Sequence, residues 1–186
     1  MNELLLAAQL IQDEVLTKGW RFCFIGGLAL QRWGEPRFTR DVDVTLMAGF
    51  GNEEVYIDAL LASFPARIEN ARQFALINRV LLLKTEAGVG VDIALGALPF
   101  EESAVSRASY FEYAQNFKLF TCSAEDLIVM KAFASRPQDW VDVEGILIRQ
   151  GERLDRDYIF EYLEPLCVAK EDPEIIKRLK RLMQNH

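Results

Sequence analysis

Two neighbouring stretches of the sequence decide the fold: Phe24–Leu30 (FIGGLAL) and Arg37–Leu46 (RFTRDVDVTL). The first stretch reads as the end of a short buried strand, followed by two glycines and the start of a helix. Adjacent glycines at such a junction let the backbone approach a ligand without obstruction by a Cβ atom. The amides at the start of the helix would then point toward an anion such as a triphosphate, so Gly26 and Gly27 are candidate phosphate-binding residues.

The second stretch contains a run that alternates strictly between polar and apolar residues, which is the period of a β-strand. Asp41 and Asp43 are two positions apart and should share one face of that strand, while Val42 and Val44 point into the core. Carboxylates side by side on one strand face repel each other and destabilise the fold unless cations bridge them. Oxygen ligands of this kind suit Mg²⁺, so the pair predicts a magnesium site.

A second half-buried strand, Val89–Leu95, repeats this arrangement. Its apolar residues face one side, whereas Asp92 stands on the other side, next to the small Gly90. If this strand lies beside the first one, the carboxylates of Asp41, Asp43 and Asp92 converge. Three carboxylates are enough to hold two magnesium ions, one at an attacking hydroxyl and one at a triphosphate.

The order of the predicted elements indicates how the chain is organised. Helical spacing predicts a helix from Leu4 to Val15. Strand patterns predict a β-hairpin over residues 79–95 and a second strand pair over residues 109–122. From Ser123 onward the pattern is mostly helical. We therefore predict an α+β (mixed α/β) fold, in which helices flank a small mixed or antiparallel sheet. We divide it into a core of residues 1–122 and a helical C-terminal region of residues 123–186, which could also form one compact unit with the core.

The composition favours a packed soluble protein, with 51% hydrophobic and 26% charged residues. The apolar runs are too short to cross a bilayer, and the N-terminus lacks the basic start and the cleavage site of a signal peptide. The cysteines Cys23, Cys122 and Cys167 are odd in number and widely spaced, which is typical of buried thiols in a reducing compartment. We expect a cytoplasmic protein with no membrane partner.

The charge and the histidine content exclude several classes of function. A net charge of −7 argues against a protein that coats nucleic acid non-specifically, because such binding depends on neutralising phosphates. The single histidine, His186, is the last residue, which excludes classical zinc sites and most histidine-based catalysis. An enzyme with this sequence would depend on carboxylates, lysines and arginines.

The pattern of Gly26-Gly27, then Asp41-Val42-Asp43, then Asp92 resembles the DNA polymerase β-like nucleotidyltransferase superfamily. The closer resemblance is to the bacterial branch that contains AbiEii-type toxins and related nucleotidyltransferases. Ser123–Phe133 and Arg136–Val143 of this chain resemble the C-terminal motif of that branch, which is Lys, then Arg, then Asp-x-x-Asp. The resemblance extends from about Arg21 to about Leu147.

The resemblance implies roles for the residues that match its motifs. Asp41 and Asp43 would bind the metals, and Asp92 would bind the catalytic metal and help to deprotonate the acceptor hydroxyl. Gly26 and Gly27 would hold the triphosphate.

Three further residues complete the set of implied site residues. Lys131 would neutralise the phosphates or the leaving pyrophosphate. Asp139 would orient Lys131 or close the pocket. Many superfamily members carry Ser directly after the glycines, but Leu28 stands there in this chain. The missing phosphate contact would have to come from the backbone or from a basic side chain, for which Arg40 is the candidate.

The function implied by the resemblance is Mg²⁺-dependent transfer of a nucleoside monophosphate from an NTP to a hydroxyl of RNA or protein, with release of pyrophosphate. An antitoxin protein would be a partner, and a small-molecule acceptor such as an aminoglycoside also stays open. The alternative is a catalytically degenerate module that binds nucleotide or a partner within a toxin–antitoxin type system. A phosphodiesterase with the same carboxylates is a third hypothesis.

Each candidate residue also has a purely structural interpretation. Asp41 and Asp43 could form an ordinary solvated strand face, and Lys131 could be a solvated position of a helix. Asp139 and Asp142 lie near a predicted helix start, where acidic residues stabilise the helix dipole whatever the function.

Overall fold

The alternating stretches of the sequence form six strands in the computed structural model, which describes residues 2–186. The strands are β1 (Phe22–Phe24), β2 (Asp41–Met47), β3 (Val80–Lys84), β4 (Gly90–Gly96), β5 (Ser109–Ala114) and β6 (Phe117–Thr121). They make one sheet in the order β3-β4-β2-β1-β6-β5.

The sheet is mixed, as the sequence predicts. β3 and β4 pair antiparallel as the expected hairpin, and β5 and β6 form a second antiparallel pair. β2 is antiparallel to β1 but parallel to β4, and β1 is parallel to β6. The predicted α+β class with a small mixed sheet is confirmed.

Helices precede, connect and follow the strands along the chain. They are α1 (Asn2–Thr17), α2 (Gly26–Trp33), α3 (Glu53–Ser63), α4 (Ala71–Asn78), α5 (Pro99–Arg107), α6 (Ala124–Ala134), α7 (Pro137–Gln150), α8 (Arg156–Lys170) and α9 (Glu174–Gln184). Among residues 2–186, no helix is both long and apolar enough to cross a bilayer.

Two of these helices, α4 and α5, are absent from the sequence-based prediction. α5 begins with a proline at its first position, and the carboxylate of Glu101 accepts hydrogen bonds of 2.8 Å from the backbone amides of Ala97 and Leu98. A proline followed by acidic residues is a recognised helix start, so the sequence carried a usable signal at this point.

The apolar half of the strand alternation forms the core. Val42, Val44, Val91 and Ile93 are fully buried in one cluster that also contains the buried apolar residues of α1. Because neighbouring residues of a strand point to opposite faces, the aspartates between these residues are kept on the other face of the sheet. Packing of the core therefore determines where the acids lie.

The chain divides into two compact units. One unit comprises the residues up to Leu28 together with Phe38–Cys122 and contains the whole sheet. The other comprises Ala29–Arg37 together with Ser123–His186 and contains α6 to α9. The division into domains of residues 1–122 and 123–186 stays a prediction, since a compact unit is not by itself an independently folding domain.

Candidate active site

The parallel pairing of β2 with β4 places Asp43 directly opposite Asp92, and Asp41 opposite Gly90. Register partners on neighbouring strands point to the same face, so the three aspartates share one face of the sheet. Asp41 is half exposed and Asp92 is about one-third exposed, at 50% and 32% of the side chain. The sequence-predicted juxtaposition of these acids is therefore present in the fold.

Two of the acids each lie over a glycine. A Cβ atom on Gly26 would be 2.0 Å from Oδ2 of Asp43, and one on Gly90 would be 2.2 Å from Oδ1 of Asp41. Gly26 also has a φ of +56°, a backbone conformation that side chains other than glycine strain. The absence of a side chain at these two positions makes room for the carboxylates.

The second glycine of the pair serves a similar purpose. A Cβ atom on Gly27 would be 2.5 Å from Oγ1 of Thr39. The sequence predicted that the glycines leave space for a ligand at the start of α2. In the structure, part of that space is taken up by the side chains of Asp43 and Thr39, which therefore lie against the start of this helix.

A cation from the chain itself stands between two of the acids. Nη2 of Arg67 is 2.7 Å from Oδ1 of Asp92, and Nη1 is 3.7 Å from Oδ1 of Asp41. Sequence reasoning missed Arg67, because it belongs to no helix or strand pattern. The one local signal is its position just after Pro65 in an irregular stretch between α3 and α4.

The environment of Asp92 is unfavourable to its negative charge. Burial raises the pKa of Asp92, the charge of Arg67 offsets part of this rise, and the charge of Asp41 adds to it. Oδ1 of Asp92 is buried, and it contacts Nη2 of Arg67 at 2.7 Å. A buried carboxylate oxygen of this kind retains capacity to bind a cation.

The three carboxylates are the kind of ligand that a divalent metal prefers, but they are not close enough together to coordinate one. Among residues 2–186, no three His, Cys, Asp or Glu side chains are gathered closely enough to hold an ion as they stand. The acids nevertheless offer oxygen ligands on one face, and a positive charge is already drawn between two of them. In the kind of ligand that they offer, these residues fit a divalent cation.

Lys131 of α6 lies in a buried charge network of the helical unit. Its Nζ is 2.6 Å from Oδ2 of Asp142 and 3.6 Å from Oδ1 of Asp139, and the three side chains are 7% exposed or less. Arg37 contacts Asp142 through Nε and Nη2 at 3.0 Å, and Nε of Arg136 lies 2.6 Å from Asp139. The interpretation of Lys131 as a solvated helix position is therefore wrong.

The network favours the ionised form of Asp142. Burial alone would raise the pKa of Asp142, but hydrogen bonds from Arg37, Lys131 and Gln138 outweigh burial, and the pKa is lowered. Asp139 in addition accepts a hydrogen bond of 3.2 Å from the backbone amide of Arg136 at the start of α7. It therefore also has the capping role that its position in the sequence allows.

The remaining candidate, Arg40, is exposed one residue before β2. Its guanidinium lies 5.9 Å from the centre of the Phe38 ring. The exposure leaves this side chain accessible to an anion.

Two solved structures have a similar fold. An antigenic nucleotidyltransferase-like protein from Paracoccidioides brasiliensis is 15% identical, with a TM-score of 0.54 over 96% of this chain and 93% of that chain. The antibiotic-resistance factor ANT(2'')-Ia is also 15% identical, with a TM-score of 0.53 over 100% of this chain and 99% of that chain. At this identity the likeness shows the fold alone, which is that of the nucleotidyltransferases. A comparison with curated proteins finds no match.

The family follows from the sequence itself. The model of a family described as "Nucleotidyl transferase AbiEii toxin, Type IV TA system" matches residues 10–183. Because the match covers nearly the whole chain, the chain belongs to the AbiEii nucleotidyltransferase toxin family. The resemblance found from the motifs is confirmed, and the chain is a nucleotidyltransferase. Nucleotidyltransferases of this fold generally use divalent metals.

Proposed function

We propose that this chain transfers a nucleoside monophosphate from an NTP to a hydroxyl of RNA or protein and releases pyrophosphate. The observation that carries the proposal is the register of β2 with β4, which sets Asp43 opposite Asp92 with Asp41 on the same face. Membership of a toxin–antitoxin family supports a macromolecular acceptor and an antitoxin partner.

Asp41, Asp43 and Asp92 would hold Mg²⁺. When bound, the metal supplies the positive charge that nucleotidyl transfer requires at the phosphates and at the attacking oxygen. Burial and the charge of Asp41 raise the pKa of Asp92, although Arg67 offsets part of the rise. A raised pKa supports a second role for this carboxylate in accepting the proton of the acceptor hydroxyl.

Gly26 and Gly27 begin α2 beside Asp43, so its first backbone amides lie next to the proposed metal ligands. A helix start carries partial positive charge, which favours the triphosphate at this place. Arg40 is exposed one residue before β2 and would supply the side-chain contact that Leu28 does not provide.

Lys131 and Asp139 are proposed to assist at the phosphates. The 3.6 Å contact between them supports a role for Asp139 in orienting the ammonium group. Because Lys131 also pairs with Asp142 at 2.6 Å, a phosphate would have to compete with that carboxylate for the ammonium.

The test incubates the purified chain with each labelled NTP, Mg²⁺ and total cell RNA or protein, and resolves the products on a gel. Label on RNA or protein, together with released pyrophosphate, is expected with the unaltered chain and with Asp58→Asn. Asp58 is a matched control because it is another carboxylate in an ion pair, with Nε of Arg72 at 2.7 Å. Asp43→Asn should label the acceptor far more weakly than either of these.

Two other outcomes would replace the proposal. Release of nucleoside monophosphate without any labelled acceptor would make the chain a phosphodiesterase. A thermal shift with non-hydrolysable NTP that does not depend on Mg²⁺, without labelling, would indicate a nucleotide-binding module that has lost catalysis.

A further inference from the structure

Arg67 is held in place by the sheet. Its backbone amide donates a 2.9 Å hydrogen bond to the carbonyl of Leu82, and the amide of Lys84 donates one of 2.9 Å to the carbonyl of Pro65. Ala66 forms an isolated antiparallel bridge with Leu83 between these two bonds. The residues around Arg67 thus extend the sheet at the free edge of β3.

The register of this edge points Arg67 toward the acids. Leu82, which accepts the hydrogen bond from Arg67, is the partner of Asp92 across β3 and β4. Asp92 is in turn the partner of Asp43 across β4 and β2. Arg67 therefore enters the same row of the sheet that carries the proposed metal ligands, and its place in that row is set by backbone hydrogen bonds.

The guanidinium lies between two of the carboxylates that would hold the metal. It contacts Asp92 and Asp41 at 2.7 and 3.7 Å, and its Nη1 is 2.7 Å from where a Cβ atom of Gly90 would be. The side chain is 31% exposed, so one side of it faces solvent. A long and partly exposed side chain can swing outward while its backbone stays bound to β3.

We infer that Arg67 is an internal counter-ion that neutralises Asp41 and Asp92 in the metal-free chain and competes with the divalent cation for them. This inference rests on the proposed function, because it takes these acids to be metal ligands. Metal binding then requires that both ion pairs break and that the guanidinium leave the row. Arg67 consequently stabilises the metal-free fold and weakens metal affinity at the same time.

The test measures Mn²⁺ binding to the full chain by calorimetry and by the loss of the free-ion electron spin resonance signal. Arg67→Met removes the charge and keeps much of the volume, and it should bind Mn²⁺ about tenfold more tightly than the unaltered chain. Arg67→Lys retains a positive charge and should stay closer to the unaltered chain. In EDTA, Arg67→Met should melt at a lower temperature than the unaltered chain. Added Mn²⁺ should recover a larger part of this loss in melting temperature than it recovers for the control variant Arg72→Met.

Arg72→Met is the matched control. Arg72 forms ion pairs of the same kind, 2.7 Å from Asp58 and 3.5 Å from Glu54, and its removal changes the net charge by the same amount. Its Mn²⁺ affinity should equal that of the unaltered chain. Equal affinities for Arg67→Met and Arg72→Met would overturn the inference.

Asp43→Asn separates this failure from a failure of the proposed function. If Asp43→Asn abolishes Mn²⁺ binding but Arg67→Met behaves as Arg72→Met does, the metal site stands and only the role of Arg67 falls. If Mn²⁺ binding is absent or does not depend on Asp43, the metal assignment falls and takes the inference with it.

Discussion

Asp43 on β2 and Asp92 on β4 are register partners in two parallel strands. Their side chains therefore project from the same face, although a helix pair and a hairpin strand separate them along the chain. Two like charges held as neighbours in a folded sheet are unfavourable without a cation. This pairing gives the first prediction.

Asp43→Asn and Asp92→Asn should each lower kcat/KM for nucleotidyl transfer by about a hundredfold or more, because each removes a negative oxygen ligand while keeping the shape of the side chain. If both residues serve one metal pair, the double variant should lose little more than either single variant. The comparison needs steady-state kinetics with Asp58→Asn as the control. Losses that multiply in the double variant would mean that the two carboxylates act independently.

Gly26→Ala should cost both stability and activity. Gly26 and Gly19 both have positive φ, +56° and +67°, but only at Gly26 would a Cβ atom collide with a side chain, that of Asp43. Gly19→Ala should therefore cost about 1 kcal/mol of unfolding free energy from backbone strain alone and leave transfer unchanged. Gly26→Ala should cost more and should displace Asp43. Urea unfolding and transfer assays on both variants check this, and full activity in Gly26→Ala would show that Asp43 tolerates the shift.

The alternation of the sequence was sufficient to predict the face of each aspartate but not its neighbours. Val42 and Val44 must be buried, so Asp41 and Asp43 must face the other way. The pairing of Asp92 with Asp43 depends on how β2 and β4 align, and no local pattern in either strand specifies that register. The sequence therefore predicts that the three acids converge only if β2 and β4 are neighbours, and the fold shows that they are.

Arg67 could not be predicted for a related reason. It lies outside any periodic segment of the sequence. Its side chain reaches the acids because backbone hydrogen bonds hold the residue against β3, a strand that follows it in the chain. Lys131 illustrates a different limit. Its spacing on α6 shows that it is helical, but its burial depends on Asp142 of α7 and on Arg37, which lies far away in the sequence.

Lys131→Met should destabilise the chain by about 3 kcal/mol or more, because it leaves two buried carboxylates with one cation fewer. Lys177→Met is the matched control, since Lys177 pairs with Glu174 at 2.7 Å but both side chains are more than 60% exposed. Its loss should be much smaller, because water screens an exposed ion pair. The measurement is urea unfolding followed by circular dichroism. Equal losses of unfolding free energy in the two variants would show that burial does not increase the contribution of the Lys131 ion pairs to stability.

The same network predicts a pH dependence. Burial raises the pKa of Asp142, but the hydrogen bonds of Arg37, Lys131 and Gln138 more than compensate, so the pKa in the folded chain lies below its usual value. A lowered pKa contributes stability above the unfolded value of about 3.9, and that stability is lost as the pH falls through the folded value. The loss of unfolding free energy in Asp142→Asn, relative to the unaltered chain, should therefore be largest at neutral pH. This loss should become smaller below about pH 4. Urea midpoints at several pH values test this against Glu161→Gln, an exposed carboxylate of α8. A difference that stays constant from neutral to acid pH would mean that Asp142 stabilises through its shape and hydrogen bonds and not through its charge.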